Sequence, residues 1–231
     1  MFKKLPVLIF FLLMILFGAA QTSSFPKGFK SLIKGKTLKG WHISRTTHQG
    51  TTPDFSVQNK MIVARQNPYG QGGVLLSNKK YKDFELYVEV KIDSFCNGGI
   101  FLRSTESGQA YHVELSEPGG TGSLFGEMLP ISKSAEAKDK AKVWKANDWN
   151  SFRIRMEGEV PRITLWINGV QMWDVIQPKN DFTAGATEGM IGLQAHWSAP
   201  YSPTVAEFDM SGSWRPGAAH YFRNIAIKEI K

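Results

Sequence analysis

The stretch FELYVEVKI, residues 84–92, decides the fold because apolar and polar side chains alternate along it. Successive side chains of an extended chain point to opposite faces, so this period of two predicts a half-buried β-strand. The apolar face consists of Phe84, Leu86, Val88, Val90 and Ile92. The same alternation recurs in residues 111–116 and 151–156, which are predicted as further strands.

A second local signal is the pair Asn168-Gly169, which lies between two apolar segments. Asn-Gly tolerates the positive φ angles of a two-residue type I′ turn, so it predicts a β-hairpin. A turn of this length pairs Leu165 with Met172 on one face. It places Trp166 and Trp173 on the other face.

The whole chain repeats this pattern of short strands and frequent turns, and it contains no long amphipathic helix. We therefore predict an all-β protein in which two antiparallel sheets pack as a sandwich. Residues 21–231 are long enough for one well-buried core, and we predict a single domain.

Residues 1–20 are predicted to be a signal peptide rather than part of the fold. Lys3 and Lys4 precede an apolar run that ends in Gly18-Ala19-Ala20, and the run is shorter than a membrane-spanning helix requires. The alternative is an uncleaved anchor. Cys96 is the only cysteine, so no internal disulfide can form. We expect an exported bacterial protein, periplasmic or secreted, with no membrane span after cleavage.

The net charge of +8 does not indicate nucleic-acid binding. The densest basic cluster, residues 133–145, also contains Glu136 and Asp139, which is typical of a solvated loop. No recognisable nucleic-acid-binding module accompanies it.

Eight segments, in this order and at this spacing, resemble the 3-keto-disaccharide hydrolase family. They are GFKSLIKGKTLKGW (28–41), FSVQNKMIV (55–63), YKDFELYVEVKI (81–92), NGGIFLRS (97–104), WNSFRIRMEG (149–158), ITLWINGV (163–170), GMIGLQAH (189–196) and FRNIAIKEI (222–230). The resemblance implies a concanavalin A-like jelly-roll sandwich and an enzyme that acts on glycosides whose sugar carries a ketone at C3. The chain departs from the family where it has Tyr111-His112-Val113-Glu114, since Tyr-Glu-Val-Gln is common there.

Five polar side chains are predicted to lie on non-core faces of three strands. His112 and Glu114 are two residues apart and share a face, as do Gln194 and His196. Arg103 closes the strand that begins at Gly99. If the three strands lie in one concave sheet, these side chains converge on a single groove.

These residue types suit a 3-keto glycoside, whose ketone acidifies the proton at C2. Glu114 or His112 is the expected base, and Arg103 or a metal would stabilise the enolate. His196 is the expected acid for the leaving group. His112, Glu114 and His196 together would also form a two-histidine, one-carboxylate site for a divalent metal. No strong pair of carboxylates indicates the mechanism of ordinary glycosidases.

Each residue also has a structural interpretation. Arg103 could pair with Glu114, His196 could pack at the head of a loop, and Trp166 and Trp173 could be core residues instead of sugar platforms. Carbohydrate remains the expected partner, and a non-catalytic lectin-like module is the alternative to an enzyme because the jelly roll serves both. A purely structural sandwich would scatter these residues over different faces.

Overall fold

The computed structural model describes residues 25–50, 54–117, 119–131, 133–178, 186–198 and 214–231. The predicted signal peptide, residues 1–20, lies outside the described residues. Among the described residues, no helix has the length and apolar character needed to cross a bilayer.

The secondary structure is almost entirely β. The strands are β1 (Lys30–Ser31), β2 (Trp41–Ile43), β3 (Asp54–Gln58), β4 (Met61–Arg65), β5 (Gly73–Tyr81), β6 (Phe84–Ile92), β7 (Cys96–Ser104), β8 (Ala110–Glu117), β9 (Leu124–Glu127), β10 (Asn150–Glu157), β11 (Arg162–Ile167), β12 (Val170–Ile176), β13 (Gly189–Ala195) and β14 (His220–Glu229). One short 3-10 turn, Lys140–Lys142, follows β9.

The strands form two antiparallel sheets. The eight-stranded sheet has the order β12-β11-β10-β6-β14-β4-β3, and β1 pairs with β14 beside this path. The six-stranded sheet has the order β2-β5-β13-β7-β8-β9. Strands adjacent in space are often distant in sequence, as β6 and β14 are, which is typical of a sandwich. The all-β, two-sheet antiparallel prediction is confirmed.

The core lies between the inner faces of the two sheets. Leu86, Ile154 and Leu165 stand side by side across the eight-stranded sheet and are buried. Leu193, Ile100 and Val113 do the same in the six-stranded sheet. The alternation in residues 84–92 therefore marks the core-facing side of β6, as predicted. The outer face of the six-stranded sheet is left to carry a site.

The Asn168-Gly169 hairpin forms with the predicted turn, but its register changes after two pairs. Trp166 pairs with Gln171, whereas Leu165 pairs with Trp173 because a bulge lies between Leu165 and Trp166 on the β11–β12 ladder. The extra residue on β12 reverses the face of every later side chain. The prediction that Trp173 shares a face with Trp166 is therefore wrong, and Trp173 is buried in the core.

Candidate functional site

An open pocket of about 410 Å³ lies on the outer face of the six-stranded sheet. The ladder sets Gln194, Gly99 and Glu114 opposite one another across β13, β7 and β8. His112 faces Phe125 across the β8–β9 ladder, on the same side. The pocket's lining includes Asn97, His112, Glu114, Ser116, Phe125, Glu127 and His196. The structure thus brings His112, Glu114 and His196 together.

The glycine pair Gly98-Gly99 makes room for a histidine on each face of β7. A Cβ at Gly99 would lie 1.9 Å from His112 Nε2, so the imidazole of His112 occupies the space above this glycine. A Cβ at Gly98 would lie 2.7 Å from His220 Nε2 on the core side. His220 is buried, and burial lowers its pKa to about 4, so it packs as a neutral core residue.

His112 has an acceptor at each ring nitrogen, an arrangement that favours its protonated form. Nε2 lies 3.2 Å from the Gly98 carbonyl oxygen, and Nδ1 lies 3.5 Å from Glu127 Oε2. Burial lowers the pKa of His112, but the hydrogen bond to Glu127 and the charges of Glu114 and Glu127 outweigh burial. The net result is a raised pKa. These surroundings favour the imidazolium form of His112, which does not fit the role of base.

The two carboxyl groups beside His112 have pKa values shifted in opposite directions. Burial raises the pKa of Glu114, and Glu127 adds to this effect against the opposing charge of His112. Burial also acts on Glu127, but its contacts with His112, His48 and Gln49 outweigh it and lower its pKa. Neighbouring titratable groups whose pKa values are shifted in opposite directions are typical of sites with an acid and a base. The ionised carboxylate of Glu127 pairs with His112, and the carboxylate of Glu114 is the stronger proton acceptor of the two.

Residues 44–50 form a strap that holds Glu127 and one wall of the pocket. Glu127 Oε1 accepts a hydrogen bond from Gln49 Nε2 at 3.0 Å and lies 3.2 Å from His48 Nε2. Gln49 Oε1 also accepts a hydrogen bond from the backbone nitrogen of Trp197 at 3.0 Å. Gln49 therefore joins the strap, β9 and the end of β13.

His196 presents a lone pair to the pocket. Its Nδ1 donates to the carbonyl oxygen of Trp197, so Nε2 is the unprotonated nitrogen of the neutral ring. Burial lowers the pKa of His196, which keeps the ring neutral, although Trp197 and Glu127 partly oppose this. The predicted role of His196 as an acid does not fit this tautomer, which accepts protons.

Arg103 does not reach the pocket, and this part of the site prediction is wrong. A bulge opposite Ile191 gives Arg103 a φ of +49°, which turns its side chain away from the face of His112. The guanidinium instead binds the Lys82 and Gly158 carbonyl oxygens and Asp83 Oδ1, at 2.8, 3.0 and 3.1 Å. Arg103 joins two loops and does not pair with Glu114.

The remaining predicted substrate-binding residues are not exposed in the pocket. Trp166 is half-buried on the outer face of the eight-stranded sheet, where the Arg153 guanidinium lies 4.9 Å from its ring. Trp173 is in the core, and its Nε1 donates to the Gly122 carbonyl oxygen at 2.7 Å. Gln194 is on the predicted face but fully buried. None of the three is exposed to a ligand in the pocket.

The metal site predicted from His112, Glu114 and His196 does not fit the donors present. Among the residues that the structure describes, no three His, Cys, Asp or Glu side chains form a metal-ligand cluster. Both nitrogens of His112 face acceptors, so this residue offers no lone pair to a cation.

Glu127 is the main residue that the sequence analysis missed. It belongs to the short edge strand β9, whose alternation is too brief to read in the sequence. Asn97 and Ser116 were missed as well, and both lie next to the predicted segments of the site. A signal was present for Ser116, because it continues the period of two that starts at His112 and Glu114.

The family profile of the 3-keto-alpha-glucoside-1,2-lyase-like domain matches residues 28–228. This span includes every described element from β1 to β13 and nearly all of β14. It confirms the resemblance seen in the sequence motifs. Among curated proteins, no match was found.

Solved structures share the fold at low sequence identity. A candidate glycosyl hydrolase from Parabacteroides distasonis has a TM-score of 0.57 and 17% identity, over 88% of this chain and 94% of that one. A carbohydrate-binding module from Bacillus subtilis has a TM-score of 0.55 and 14% identity, over 84% and 98%. A β-glucanase from Bacillus licheniformis has a TM-score of 0.55 and 12% identity, over 90% and 95%. These identities show the fold alone, and they confirm the concanavalin A-like jelly-roll class.

Proposed function

We propose that this chain, a carbohydrate-active protein that belongs to the 3-keto-alpha-glucoside-1,2-lyase-like family, cleaves glycosides whose sugar carries a ketone at C3. The reaction begins with removal of the proton at C2 and continues with loss of the aglycone from C1. The observation that carries this proposal is the Glu114–His112–Glu127 cluster, where two carboxyl groups have oppositely shifted pKa values beside one imidazolium.

Glu114 is the proposed base. Its carboxylate lines the pocket and is 15% exposed, so a substrate can reach it while bulk water is largely excluded. Its raised pKa makes it a better proton acceptor than an exposed glutamate. His112 Nε2 lies 3.9 Å from Glu114 Oε2 and keeps enough ionised carboxylate available for the first step.

His112 also supplies the positive charge that the enolate requires. Removal of the C2 proton leaves an electron pair that moves through C2 and C3 onto the C3 oxygen. A fixed cation in a site shielded from water stabilises such developing charge. The sequence analysis expected Arg103 or a metal in this role, and the buried imidazole of His112 is proposed in its place.

The electron pair then returns through C2 and expels the aglycone as the C1–O bond breaks. The leaving oxygen needs a proton, and the protonated Glu114 holds the one taken from C2. His196, with its unprotonated Nε2, can orient a water molecule or accept a proton when water adds to the unsaturated product. Addition of water converts the elimination into net hydrolysis.

The carboxyl pair of Glu114 and Glu127 resembles the pair of an ordinary glycosidase, but the contacts of Glu127 favour another role. Such an enzyme needs its second carboxylate as a nucleophile or as a base for water. Both oxygens of Glu127 are engaged, one by His112 and the other by Gln49 and His48. Glu127 is therefore proposed to hold His112 in place.

The second candidate is a non-catalytic, lectin-like module, because a carbohydrate-binding module shares the fold. The buried charged cluster favours the enzyme, since neutral hydrogen-bonding groups suffice for a lectin. We also propose that the protein is exported, on the strength of the leader pattern in residues 1–20.

The test is turnover of a 3-keto disaccharide by the purified protein and by Glu114→Gln. We expect kcat to fall by about 10²- to 10⁴-fold in the variant, as for loss of a general base. Glu89→Gln is the matched control, because Glu89 is 14% exposed and pairs with Arg223 on the other sheet. A chelator should leave turnover unchanged.

Unchanged turnover in Glu114→Gln would contradict its role as base. Sugar binding by the wild type without turnover would favour the lectin-like candidate.

A further inference from the structure

Two exposed aromatic side chains stand at the pocket, Phe125 in its lining and Trp197 beside the lining residue His196. Phe125 and Trp197 are each 44% exposed, which is high for rings of this size. Phe125 lines the pocket from edge strand β9, directly opposite His112 in the ladder. Trp197 follows β13, and its ring stacks on His196 with centroids 5.6 Å apart and planes at 27°.

Trp197 is fixed in place by hydrogen bonds to its backbone. Its nitrogen donates to Gln49 Oε1 at 3.0 Å, and its carbonyl oxygen accepts from His196 Nδ1. The next residue, Ser198, donates its backbone N–H to the Gly70 carbonyl oxygen at 3.0 Å. An exposed indole held in this way is a preformed apolar surface, which is characteristic of the aromatic lining of ligand sites.

The order of the strands separates the backbone segments that carry the two rings. Trp197 lies at the end of β13 and Phe125 on β9, with β7 and β8 between them. Three strand spacings of about 4.8 Å put these backbone segments roughly 14 Å apart across the sheet, which exceeds the width of a single sugar ring. Glu114, on β8, is one strand from Phe125 and two strands from Trp197.

We propose that Trp197 is the platform for the leaving group and that Phe125 packs against the keto sugar. This inference rests on the proposed function, because it places the ring attacked by Glu114 over β8 and β9. A second ring attached at C1 then extends across β7 to the indole. The preferred substrate is a glycoside whose leaving group is itself a ring, a second sugar or an aryl group, and not a small alkyl group.

The experiment compares two substrates, a 3-keto disaccharide and methyl 3-keto-glucoside, in three alanine variants. We expect Trp197→Ala to raise KM about tenfold for the disaccharide, equivalent to about 1.4 kcal/mol, and to leave KM for the methyl glycoside unchanged. Phe125→Ala should raise KM for both substrates. Trp197→Phe should restore most of the affinity for the disaccharide.

Trp166→Ala is the matched control, because Trp166 lies on the outer face of the other sheet. It should change neither KM. Equal effects of Trp197→Ala on the two substrates, or no effect on either, would overturn the proposal.

A binding measurement separates this proposal from the proposed function. If the wild type turns over neither substrate, calorimetry can compare its affinity for the two glycosides with that of Trp197→Ala. A preference for the disaccharide that disappears in the variant supports the subsite even though the reaction is wrong. Absence of binding, or a preference that survives in the variant, refutes the subsite.

Discussion

Gly99→Ala tests whether the glycine pair exists to seat His112. The added Cβ would lie 1.9 Å from His112 Nε2 and 2.2 Å from its Cδ2, and real Cβ contacts are essentially never shorter than 3.0 Å. The imidazole must therefore move away from the sheet by about 1 Å or more. This movement breaks its 3.2 Å contact with the Gly98 carbonyl oxygen and disturbs its pairing with Glu127.

The cost follows from two contributions. Overpacking of a closely packed site costs about 1–3 kcal/mol. Loss of a buried hydrogen bond costs about 1 kcal/mol more. We expect the free energy of unfolding to fall by about 2–4 kcal/mol, which at an m value of about 2–3 kcal/mol per molar lowers the urea midpoint by roughly 1 M. Turnover of the 3-keto substrate should fall as well.

Gly120→Ala is the control for this substitution. Gly120 borders the same pocket, but a Cβ there meets Ser123 and Glu114 at 3.6 and 3.7 Å, which are ordinary contact distances. Urea denaturation followed by tryptophan fluorescence gives both midpoints. Equal midpoints for Gly99→Ala and Gly120→Ala would show that His112 does not need the space above Gly99, and the reasoning would fail.

Two further predictions concern the charged groups. Arg103→Met should lower the free energy of unfolding by about 3 kcal/mol, because it leaves Asp83 without its buried partner. The KM should not change. A changed KM would show that Arg103 contributes to substrate binding after all. Glu127→Gln should destabilise the protein in a pH-dependent way. The raised pKa of His112 stabilises the folded protein below pH 6.5, its ordinary pKa, and this stabilisation is lost as the pH rises through the pKa of the folded state. The lowered pKa of Glu127 stabilises the folded protein above pH 4.5, its ordinary pKa, and this stabilisation is lost as the pH falls through the pKa of the folded state. The gap in urea midpoint between wild type and variant should be largest between pH 4.5 and 6.5 and narrower at pH 9, whereas a gap independent of pH would contradict the ion pair.

The sequence predicted the features that depend on local periodicity. Alternation along residues 84–92 identified the core face of β6, and the same rule put His112 and Glu114 on one face of β8. Motif order was enough to identify the family. These predictions succeed because successive side chains of a regular strand point to opposite faces, whatever the strand packs against.

The predictions from the sequence were wrong where a bulge interrupts this alternation. The alternation of the sequence predicts the faces of Arg103 and Trp173, but a bulge in β7 and another in β12 turn these side chains to a different face. A bulge is selected by the pairing of the whole ladder. No short window of sequence contains the partner strand that defines it.

The sequence by itself was enough to predict the all-β fold, the family, and the common face of His112 and Glu114 on one strand. Only the tertiary structure brought Glu127, from an edge strand, to the imidazole of His112, and His48, from the strap, to the other carboxylate oxygen of Glu127. Protonation depends on burial and on charges that are distant in sequence. The proposed roles of His112 as cation and Glu114 as base therefore depend on the packing of the sheets.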